Sequence, residues 1–600
     1  MNTNKPQNIN GKYLYYAFIS GGKEIINNQI SLNDINVFPV RDKDTGSNLA
    51  STIRSVINNT IPNKSYKETV GLIANAALEG ARGNSGVIFA QFLYGLSCET
   101  IDKASINISD FTDSVKRSIP YLYNAISNPV EGTMLTVIKD WSDYLNSQKN
   151  IINDFKDLFT NSLSILEKSL SETTSKLKEL GKYGVVDAGA KGFVVFIKGI
   201  ADFLSDTNVR DLLESVNKKN NIPQHEDHFE ADEDIKYRYC AEAKMQDVFV
   251  KFYRLKEILE EYGNSSLIAG SNEMCSVHVH TNKPADLFKE LQKVGYIVSQ
   301  KVEDIKHQQD IVNHRKWNIA IVTDSTCDLS QELIDEYQIN VLPMNINFGD
   351  DSYLDKLTIN PKQFYDLLEK DIDFPQSSQI NEASFTSLYS QLSNHYDEII
   401  AIHLSSKFSG TYANSKKAGE KISKELGTRI EVIDSKNLSG GLGLLVYKTA
   451  KDIEAGDNLD KILDSLYREI KMTRIYVSVK DMKSMIRGGR VSRPRGFIAN
   501  SIGINPIVSM NLKGDSLLYG VSFGQKNSLK KIEQQIIKAQ KHHKIWNYII
   551  LHAHNELGAE KAEHDMEEIC GKKPVSVVDI SPVIGMHAGQ GAVSISLMYN

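Results

Sequence analysis

The sequence predicts a soluble multidomain protein with an all-α N-terminal part, a small α+β domain in the middle and an α/β domain after it. Three observations support this prediction. The chain has 600 residues, whereas one domain typically takes roughly 150 residues. Apolar residues repeat at helical spacing as far as about residue 205 and give way to short apolar runs after Trp317. A content of 41% hydrophobic and 24% charged residues is that of globular protein.

Residues 1–205 are predicted to form only helices. Leu49, Ile53 and Val56 follow one another at the spacing of a helix face, as do Phe193 and Ile197. The residues that follow, placed at 206–236, are polar and acidic, contain a proline and have few apolar side chains. That composition predicts a linker.

The middle domain is placed at residues 237–312 and the last domain at 313–600. The middle segment combines strand-like runs, YRYCAEAKM and MCSVHVHT, with helical ones, among them VFVKFYRLKEILEEYG. The last segment contains the short apolar runs IAIVT, EIIAIHL, IEVID, IYVSV and YIILHA, separated by helical patterns. Continuous apolar runs of this kind predict buried parallel strands in an α/β domain.

Composition argues against several classes of protein. The net charge of −6 offers no basic excess for nucleic acid, so no nucleic-acid partner is expected. The five cysteines include no Cys-x-x-Cys pair, which disfavours a disulfide framework and favours a reducing cytoplasm. The first residues lack the apolar core of a signal peptide, and no apolar run reaches the ~18 residues of a membrane span. We therefore expect a cytoplasmic protein whose membrane contacts are peripheral.

Two loops in the helical part carry residues suited to a magnesium nucleotide. Asp42 and Asp44 directly precede an amphipathic helix, and Mg²⁺ is usually held by one or two carboxylates together with phosphate oxygens. The segment 80–86, GARGNSG, leads into another helix start, where backbone N–H groups can approach phosphates. The alternative for each loop is an ordinary solvated helix cap or a glycine-rich connection.

Cys240, His278 and His280 form a candidate metal set. Residues two apart on a strand point to the same side, and a thiolate with two imidazoles is typical zinc chemistry that leaves one coordination position open. The alternative is a strand whose two histidines are simply hydrogen-bonded.

The helical part resembles the nucleotide-binding domain of fatty acid kinases, which is related to the DhaL subunit of dihydroxyacetone kinases. The resemblance rests on four ordered motifs, NVFPVxDxDTGxN from Asn36, GARGNSGVI from Gly80, PVEGT from Pro129 and GVVDAGAKG from Gly184. It implies an antiparallel helical barrel that binds Mg-ATP, with Asp42 and Asp44 as catalytic metal ligands. The nucleotide contacts that it implies are Asn36, Thr45, Asn48, Gly83, Asn84, Ser85, Gly86, Thr133 and Asp187. The family usually has Pro and Gly where this chain has Arg41 and Lys43, which either assist phosphate binding or mark a degraded metal site.

The middle segment also resembles its counterpart in fatty acid kinases, where the Cys and His-x-His residues meet at a metal. Residues 317–600 resemble the DegV family through VTDSTxDL, SSQ, SSKxSGTY, IDSKxLSGGLG, RGGRVS, NPI and HAGQGA. That family implies a two-lobed domain with a narrow apolar tunnel for an acyl chain. By the same resemblance Ser378, Ser406 and His587 hold the carboxylate, and Arg487, a catalytic candidate, and Arg490 lie near it.

The resemblances together imply a fatty acid kinase that phosphorylates the carboxylate of a fatty acid held in its own DegV domain. The implied cofactors are ATP and Mg²⁺, with Zn²⁺ in the middle domain. The implied partners are the fatty acid, a second copy of the chain if transfer occurs within a homodimer, and a transient acyl-phosphate acceptor enzyme at the membrane. The alternatives are a fatty-acid-binding regulatory protein whose kinase-like domain is inactive, and a kinase for a small polyol.

Overall fold

We describe a computed structural model of the chain, which covers residues 7–38, 43–126, 129–206, 236–370, 374–480, 483–489 and 504–600. The described residues divide into two compact units, the first reaching Gln309 and the second starting at Asp310. The first unit combines a helical part with a small sheet, and the second is an α/β domain with two lobes. The predicted multidomain fold class is confirmed.

The helical part begins at Gly11, and several of its helices have a side-chain cap at the N-terminus. Asn107 and Asp110 form a reciprocal capping box, and the Ser65 side chain accepts from the Glu68 N–H, which satisfies backbone donors that a helix end leaves open. The described helices are Gly11–Asn27, Gln29–Asp34, Thr45–Asn59, Tyr66–Gly80, Gly83–Glu99, Ile108–Ala125, Met134–Gln148, Phe155–Lys176, Lys178–Tyr183 and Ala188–Asp206.

The helical part has one feature that the sequence did not predict. The strands Asn8–Asn10 and Ser105–Asn107 pair antiparallel into a two-stranded sheet beside the helices. Each strand has three residues, which is too short for an alternating pattern to be recognised in the sequence.

The middle part is a four-stranded antiparallel sheet with helices. Its strands lie in the order Gly263–Gly270, Met274–Thr281, Tyr239–Gln246 and Tyr296–Asp304. The strand Gly263–Gly270 was not predicted, because its first residues are polar or small. The helices Phe252–Tyr262, Pro284–Gln292 and Ile305–Asn313 complete this region.

The sheet of the middle part shares a core with the helices. Leu267 and Ala269 are buried in the same apolar cluster as the helical core. The Gly270 N–H donates to Gln91 Oε1 at 2.9 Å, and the Ser276 hydroxyl donates to the Leu78 carbonyl at 3.2 Å. These contacts hold the helical and middle parts together as one unit.

The second unit contains two principal sheets. The first is parallel, in the order Arg429–Asp434, Glu398–His403, Ile319–Asp324 and Asn340–Leu342. The second has the order Ser516–Phe523, Ile504–Met510, Thr473–Ser478, Val593–Tyr599, Ile545–His552 and Val577–Asp579. A smaller antiparallel sheet contains Asp351–Leu354, Asn345–Phe348 and Gln376–Ser378.

Helices cover these sheets. They are Gln331–Glu336, Pro361–Lys370, Glu382–Leu392, Thr411–Leu426, Ser439–Glu454, Leu459–Met472, Lys483–Arg487, Gln525–Gln540, Glu556–Cys570 and Pro582–Ala588. Among the residues that the structure describes, no helix is both long and apolar enough to cross a membrane.

The prediction of parallel strands is wrong for part of the second sheet. The run IYVSV lies in the strand Thr473–Ser478, which pairs antiparallel with both of its neighbours. In this sheet Ile545–His552 runs parallel only to Val577–Asp579 and antiparallel to Val593–Tyr599. An apolar run shows that a strand is buried on both faces and carries no information on the direction of its neighbours.

Candidate functional site

Helix N-termini come together at one end of the helical part. The Asp187 carboxylate accepts from the Ala190 N–H at 2.7 Å, at the start of its own helix, and from the Met134 N–H at 3.1 Å, at the start of another. A Cβ placed on Gly189 would lie 3.0 Å from Ser85 Oγ, which belongs to the first turn of a third helix. The positive ends of helix dipoles make such a place attractive to anions.

Asp44 lies at the N-terminus of the helix that begins at Thr45, and neighbouring amides hold its carboxylate. Asn48 Nδ2 donates to Asp44 Oδ2 at 2.6 Å, and Asn36 Nδ2 lies 3.5 Å from Oδ1. Both asparagines and Thr45 are buried, so the carboxylate is oriented before any ligand binds. Asp42, the other predicted metal ligand, lies outside the described residues.

The glycine-rich loop packs directly against this carboxylate site. Gly83 has a φ of +54°, and a Cβ there would lie 2.1 Å from Asn48 Nδ2, so only glycine fits this close approach. The Asn84 side-chain oxygen is buried without a hydrogen-bond partner in the described part of the chain. A buried acceptor of this kind indicates a site for a donor that comes from outside the protein.

Thr133 and Asp187 lie behind the loop rather than on the cavity surface. The Thr133 hydroxyl donates to the Val130 carbonyl at 2.8 Å. Burial raises the pKa of Asp187 to about 6, against the effect of the two backbone hydrogen bonds that it accepts. In this arrangement Asp187 organises two helix starts, whereas Thr133 stands at the N-cap of the helix Met134–Gln148 without a side-chain capping bond.

The remaining predicted nucleotide contacts line one cavity within the first unit, except Gly86, which is buried beside it. One wall comes from the helix starts and the other from the middle sheet. The lining residues are Asn36, Phe38, Asp44, Thr45, Asn48, Gly83, Asn84, Ser85, Cys240, Glu242, His278, His280, Glu303, Ile305 and Gln308. The structure thus brings the predicted phosphate site and the predicted metal set into one cavity.

The Cys–His cluster, which comprises Cys240, His278 and His280, is compact and buried. One donor atom from each residue lies within 4.8 Å of the others, and Cys240 Sγ is 3.6 Å from His278 Nδ1. Burial raises the pKa of the Cys240 thiol, and burial together with His278 lowers the pKa of His280 to about 3. Two imidazoles, of which His280 is held neutral, and a thiol that a cation can deprotonate match zinc, so the donor set fits that ion.

Glu242 is a residue of this cavity that sequence reasoning missed. It lies two positions after Cys240 and directly opposite His278 in the strand register. Its Oε1 accepts from the Gly83 N–H at 2.7 Å and lies 3.4 Å from His278 Nδ1. Burial acts to raise the pKa of Glu242, but the His278 hydrogen bond and the Lys301 charge lower it to about 2. The alternation of the strand around Cys240 was the signal that could have found it.

The second unit contains an apolar cavity. Its walls are mostly aliphatic side chains from the second sheet and from the helices against it, with a few hydroxyls and His587. The lining residues are Met344, Ser377, Leu404, Phe408, Ser409, Leu438, Ser439, Ile475, Val477, Met485, Val508, Ser509, Met510, Ser516, Ile580, Val583, Ile584, His587, Ala588 and Ser594.

The predicted carboxylate contacts are only partly gathered at this cavity. His587 lines it, whereas the hydroxyls on its surface include those of Ser377 and Ser409 rather than Ser378 and Ser406. The Ser406 hydroxyl and N–H both donate to the Asp434 carboxylate.

Arg487, one of the two arginines predicted near the carboxylate, is the last residue of the helix Lys483–Arg487. The Arg487 guanidinium lies 5.2 Å from the centre of the Phe374 ring, which is itself 6.4 Å from the His587 ring. Arg487 is therefore close to the residue that lines the cavity. Arg490 lies outside the described residues.

A buried ionic network fixes the helix that carries His587. Lys356 Nζ donates to Asp328 Oδ1 at 2.7 Å, and the same carboxylate accepts from the Ser581 N–H at 3.1 Å. Asp355 accepts from the Ser325 hydroxyl at 2.6 Å, and burial raises the pKa of this carboxyl to about 7.

Comparison with known families matches three segments of the chain. Residues 39–202 match the model of the DAK2 domain, and residues 236–312 match the model of a middle domain found in fatty acid kinase-like proteins. Residues 318–600 match the DegV family, whose model is described as uncharacterised proteins. The three resemblances predicted from sequence motifs are confirmed.

Individual relatives cover about half of the chain. An uncharacterized protein of Staphylococcus saprophyticus is 32% identical over 330 residues, which is 53% of this chain and 59% of that protein. A DegV family protein of Thermus thermophilus, whose structure is described with fatty acid binding, is 25% identical, with 47% of this chain and 100% of that chain covered and a TM-score of 0.43. DegV of Bacillus subtilis, described as a fatty acid binding protein, is 27% identical. That match covers 48% of this chain and 100% of that chain, with a TM-score of 0.42.

Proposed function

We propose that the protein is a fatty acid kinase that transfers the γ-phosphoryl group of Mg-ATP to the carboxylate of a fatty acid. The products are an acyl phosphate and ADP. The observation that carries this proposal is the polar cavity of the first unit, where helix N-termini, a preoriented carboxylate and a glycine loop face one space. The match of the adjoining sheet to the middle domain of fatty acid kinase-like proteins supports the choice of acceptor.

Asp44 is the described residue best suited to hold magnesium, with Asp42 as its sequence neighbour. Magnesium bound there would neutralise charge on the phosphates. The Gly83 N–H already donates to Glu242 Oε1, so the Asn84 and Ser85 N–H groups at this helix start would donate to phosphate oxygens. The buried side-chain oxygen of Asn84 is an acceptor and would face a donor group of the nucleotide. These residues bind and orient the nucleotide, which is the main requirement of phosphoryl transfer.

The apolar cavity of the second unit is suited to an acyl chain. Its walls are mostly aliphatic, so an apolar chain gains free energy by leaving water and entering it. His587 and the hydroxyls of Ser377 and Ser409 lie on the cavity surface, and such groups can donate hydrogen bonds to a carboxylate. Arg487, close to His587 by way of Phe374, would offset negative charge on the reacting groups.

The reaction needs no general base, because a fatty carboxylate is already ionised near pH 7. One carboxylate oxygen attacks the γ-phosphorus, the bond from that phosphorus to the β,γ-bridging oxygen breaks, and ADP leaves with the electron pair. The acyl phosphate would serve an acceptor enzyme of phospholipid synthesis.

The second candidate is a fatty-acid-binding regulatory protein with an inactive kinase-like half. Lys43 favours it, because it stands next to the metal-binding carboxylate where a small neutral residue is usual. Incubation of purified protein with Mg-ATP, followed by mass spectrometry of extracted lipid, separates the two candidates. Loss of free fatty acid with gain of acyl phosphate supports the kinase, and bound fatty acid that persists unchanged supports the regulatory protein.

The matched control for this experiment is Asp44→Asn protein. It should keep its bound fatty acid and form no acyl phosphate. Protein that carries no fatty acid before incubation, and takes none up, would contradict both candidates.

A further inference from the structure

One carboxylate oxygen links the Cys–His cluster to the glycine loop. Glu242 Oε1 accepts from the Gly83 N–H at 2.7 Å and lies 3.4 Å from His278 Nδ1. The His278 side chain is 2% exposed and that of Glu242 15% exposed. The nucleotide loop and a cluster imidazole therefore have a common neighbour in a largely buried place.

The strand register explains this arrangement. The antiparallel pairing sets Cys240 opposite His280 and Glu242 opposite His278, so all four side chains share one face of the sheet. That face lines the cavity whose other wall contains Gly83. Glu242 is not one of the three described residues whose donor atoms lie within 4.8 Å of one another. Its place is beside the cluster, where carboxylates commonly orient a metal-binding histidine.

A nearby carboxylate in the same cavity lacks this double contact. Glu303 lies on the neighbouring strand, opposite Cys240, and its carboxylate pairs with Lys301 at 2.6 Å. Within the described residues, the connection from the cluster to the Gly83 N–H therefore passes through Glu242.

We propose that Glu242 is a positioning residue that couples metal binding at the Cys–His cluster to nucleotide binding at the glycine loop. A metal ion on His278 fixes the orientation of that ring, and the ring limits the positions open to Glu242. Glu242 in turn holds the loop through the Gly83 N–H, which leaves the Asn84 and Ser85 N–H groups for the phosphates. The loop is then held ready for phosphate. This inference rests on the proposed function, in which the phosphates bind at the glycine loop.

Coupling of this kind is reciprocal, because the free energy of binding both ligands does not depend on their order. If zinc tightens nucleotide binding by some factor, nucleotide tightens zinc binding by the same factor. Coupling between two sites is usually about 5- to 150-fold. We expect about tenfold here, since a single side chain connects the sites and stays within hydrogen-bonding range of both.

The test measures both affinities on the full-length protein. Calorimetry with Mg²⁺ and a non-hydrolysable ATP analogue gives the nucleotide Kd of zinc-loaded protein and of protein treated with a zinc-selective chelator. Competition against a chromogenic chelator gives the zinc Kd with and without the analogue. For the wild-type chain, the nucleotide Kd without zinc should be about ten times the Kd with zinc. The zinc Kd without the analogue should likewise be about ten times the Kd with it.

Two variants remove the link and a third serves as a control. Glu242→Ala and Glu242→Met should both bring the ratio close to one, and the methionine keeps the buried volume so that a cavity does not unfold the protein. Ser276→Ala removes a different hydrogen bond between sheet and helices, the one to the Leu78 carbonyl, and should keep the wild-type ratio.

Each further outcome overturns a definite statement. The coupling would be overturned, while nucleotide binding stands, by any of three results. These are a wild-type Kd that does not change when the other ligand is present, an absence of zinc binding, or Glu242 variants that keep the full change in Kd. Zinc-loaded wild-type protein that fails to bind the analogue would overturn the proposed function together with the coupling.

Discussion

Gly83→Ala should weaken nucleotide binding much more than Gly184→Ala, although both glycines have positive φ. The φ angles are +54° and +65°, and an L-residue in that region costs roughly 1–2 kcal/mol at either position. A Cβ on Gly184 meets nothing within 4 Å, whereas a Cβ on Gly83 lies 2.1 Å from Asn48 Nδ2 and 2.9 Å from its Cγ. Gly184→Ala is therefore the matched control for strain without a clash.

The clash sets the size of the expected effect. Asn48 has to move, and it then loses the 2.6 Å hydrogen bond that orients the Asp44 carboxylate. A hydrogen bond to a charged group contributes roughly 1.5–3 kcal/mol, and about 1.4 kcal/mol changes an equilibrium constant tenfold. The nucleotide Kd should accordingly rise about 10- to 100-fold in Gly83→Ala.

Calorimetry with Mg²⁺ and a non-hydrolysable ATP analogue measures this Kd, and thermal unfolding of both variants measures the common cost of strain. Gly83→Ala protein that is folded and binds the analogue within about twofold of Gly184→Ala would refute the reasoning. Equal weakening in the two variants would show that strain alone decides the outcome and that Asn48 is not involved.

Four more predictions concern the polar cavity of the first unit, the apolar cavity of the second unit and the buried carboxyl of Asp355. Asp44→Asn should abolish acyl phosphate formation and leave the amount of fatty acid that copurifies unchanged, since the variant residue lies in the first unit; near-normal turnover would disprove the metal assignment. His587→Ala should raise the Kd for a fluorescent fatty acid about tenfold, because a hydrogen bond to a carboxylate contributes roughly 1.5–3 kcal/mol, while the nucleotide Kd stays constant. Asp44→Asn and His587→Ala proteins should recover activity on mixing if transfer occurs between chains of a homodimer, and two variants that stay inactive when co-expressed would exclude that route. Burial raises the pKa of Asp355 to about 7, whereas its value in the unfolded chain is about 3.9. Between these two pH values the folded chain binds more protons than the unfolded chain, so it loses stability as pH rises from about 4 to 7. Asp355→Asn removes this loss, so the free energy of unfolding of the variant minus that of the wild type should be higher at pH 8 than at pH 5 in urea titrations. A difference that does not change with pH would contradict the prediction.

The sequence by itself was sufficient for the fold class and for the motifs of the site. Helical periodicity such as that of Leu49, Ile53 and Val56 is a local property, because the same face of a helix is buried wherever the helix packs. The pairing of His278 with His280 on one strand face is equally local. The motifs around Asp44 and Gly83 could be recognised in the sequence because backbone conformation and close approach restrict the residue types at those positions.

Only the tertiary structure decided which of these local features share a cavity. The contact from Glu242 to Gly83 joins residues 159 positions apart, and no periodicity along the chain connects them. Strand direction in the sheet around Thr473–Ser478 was likewise undetermined, since burial on both faces gives the same apolar run in either direction. Ser377 and Ser409 line the apolar cavity of the second unit, whereas Ser406 is bonded to Asp434. This arrangement depends on how the strand Gln376–Ser378 and the segment around Ser406 and Ser409 pack. Contacts of this kind follow from the packing of separate elements, and the residue types in one element do not specify their neighbours in another.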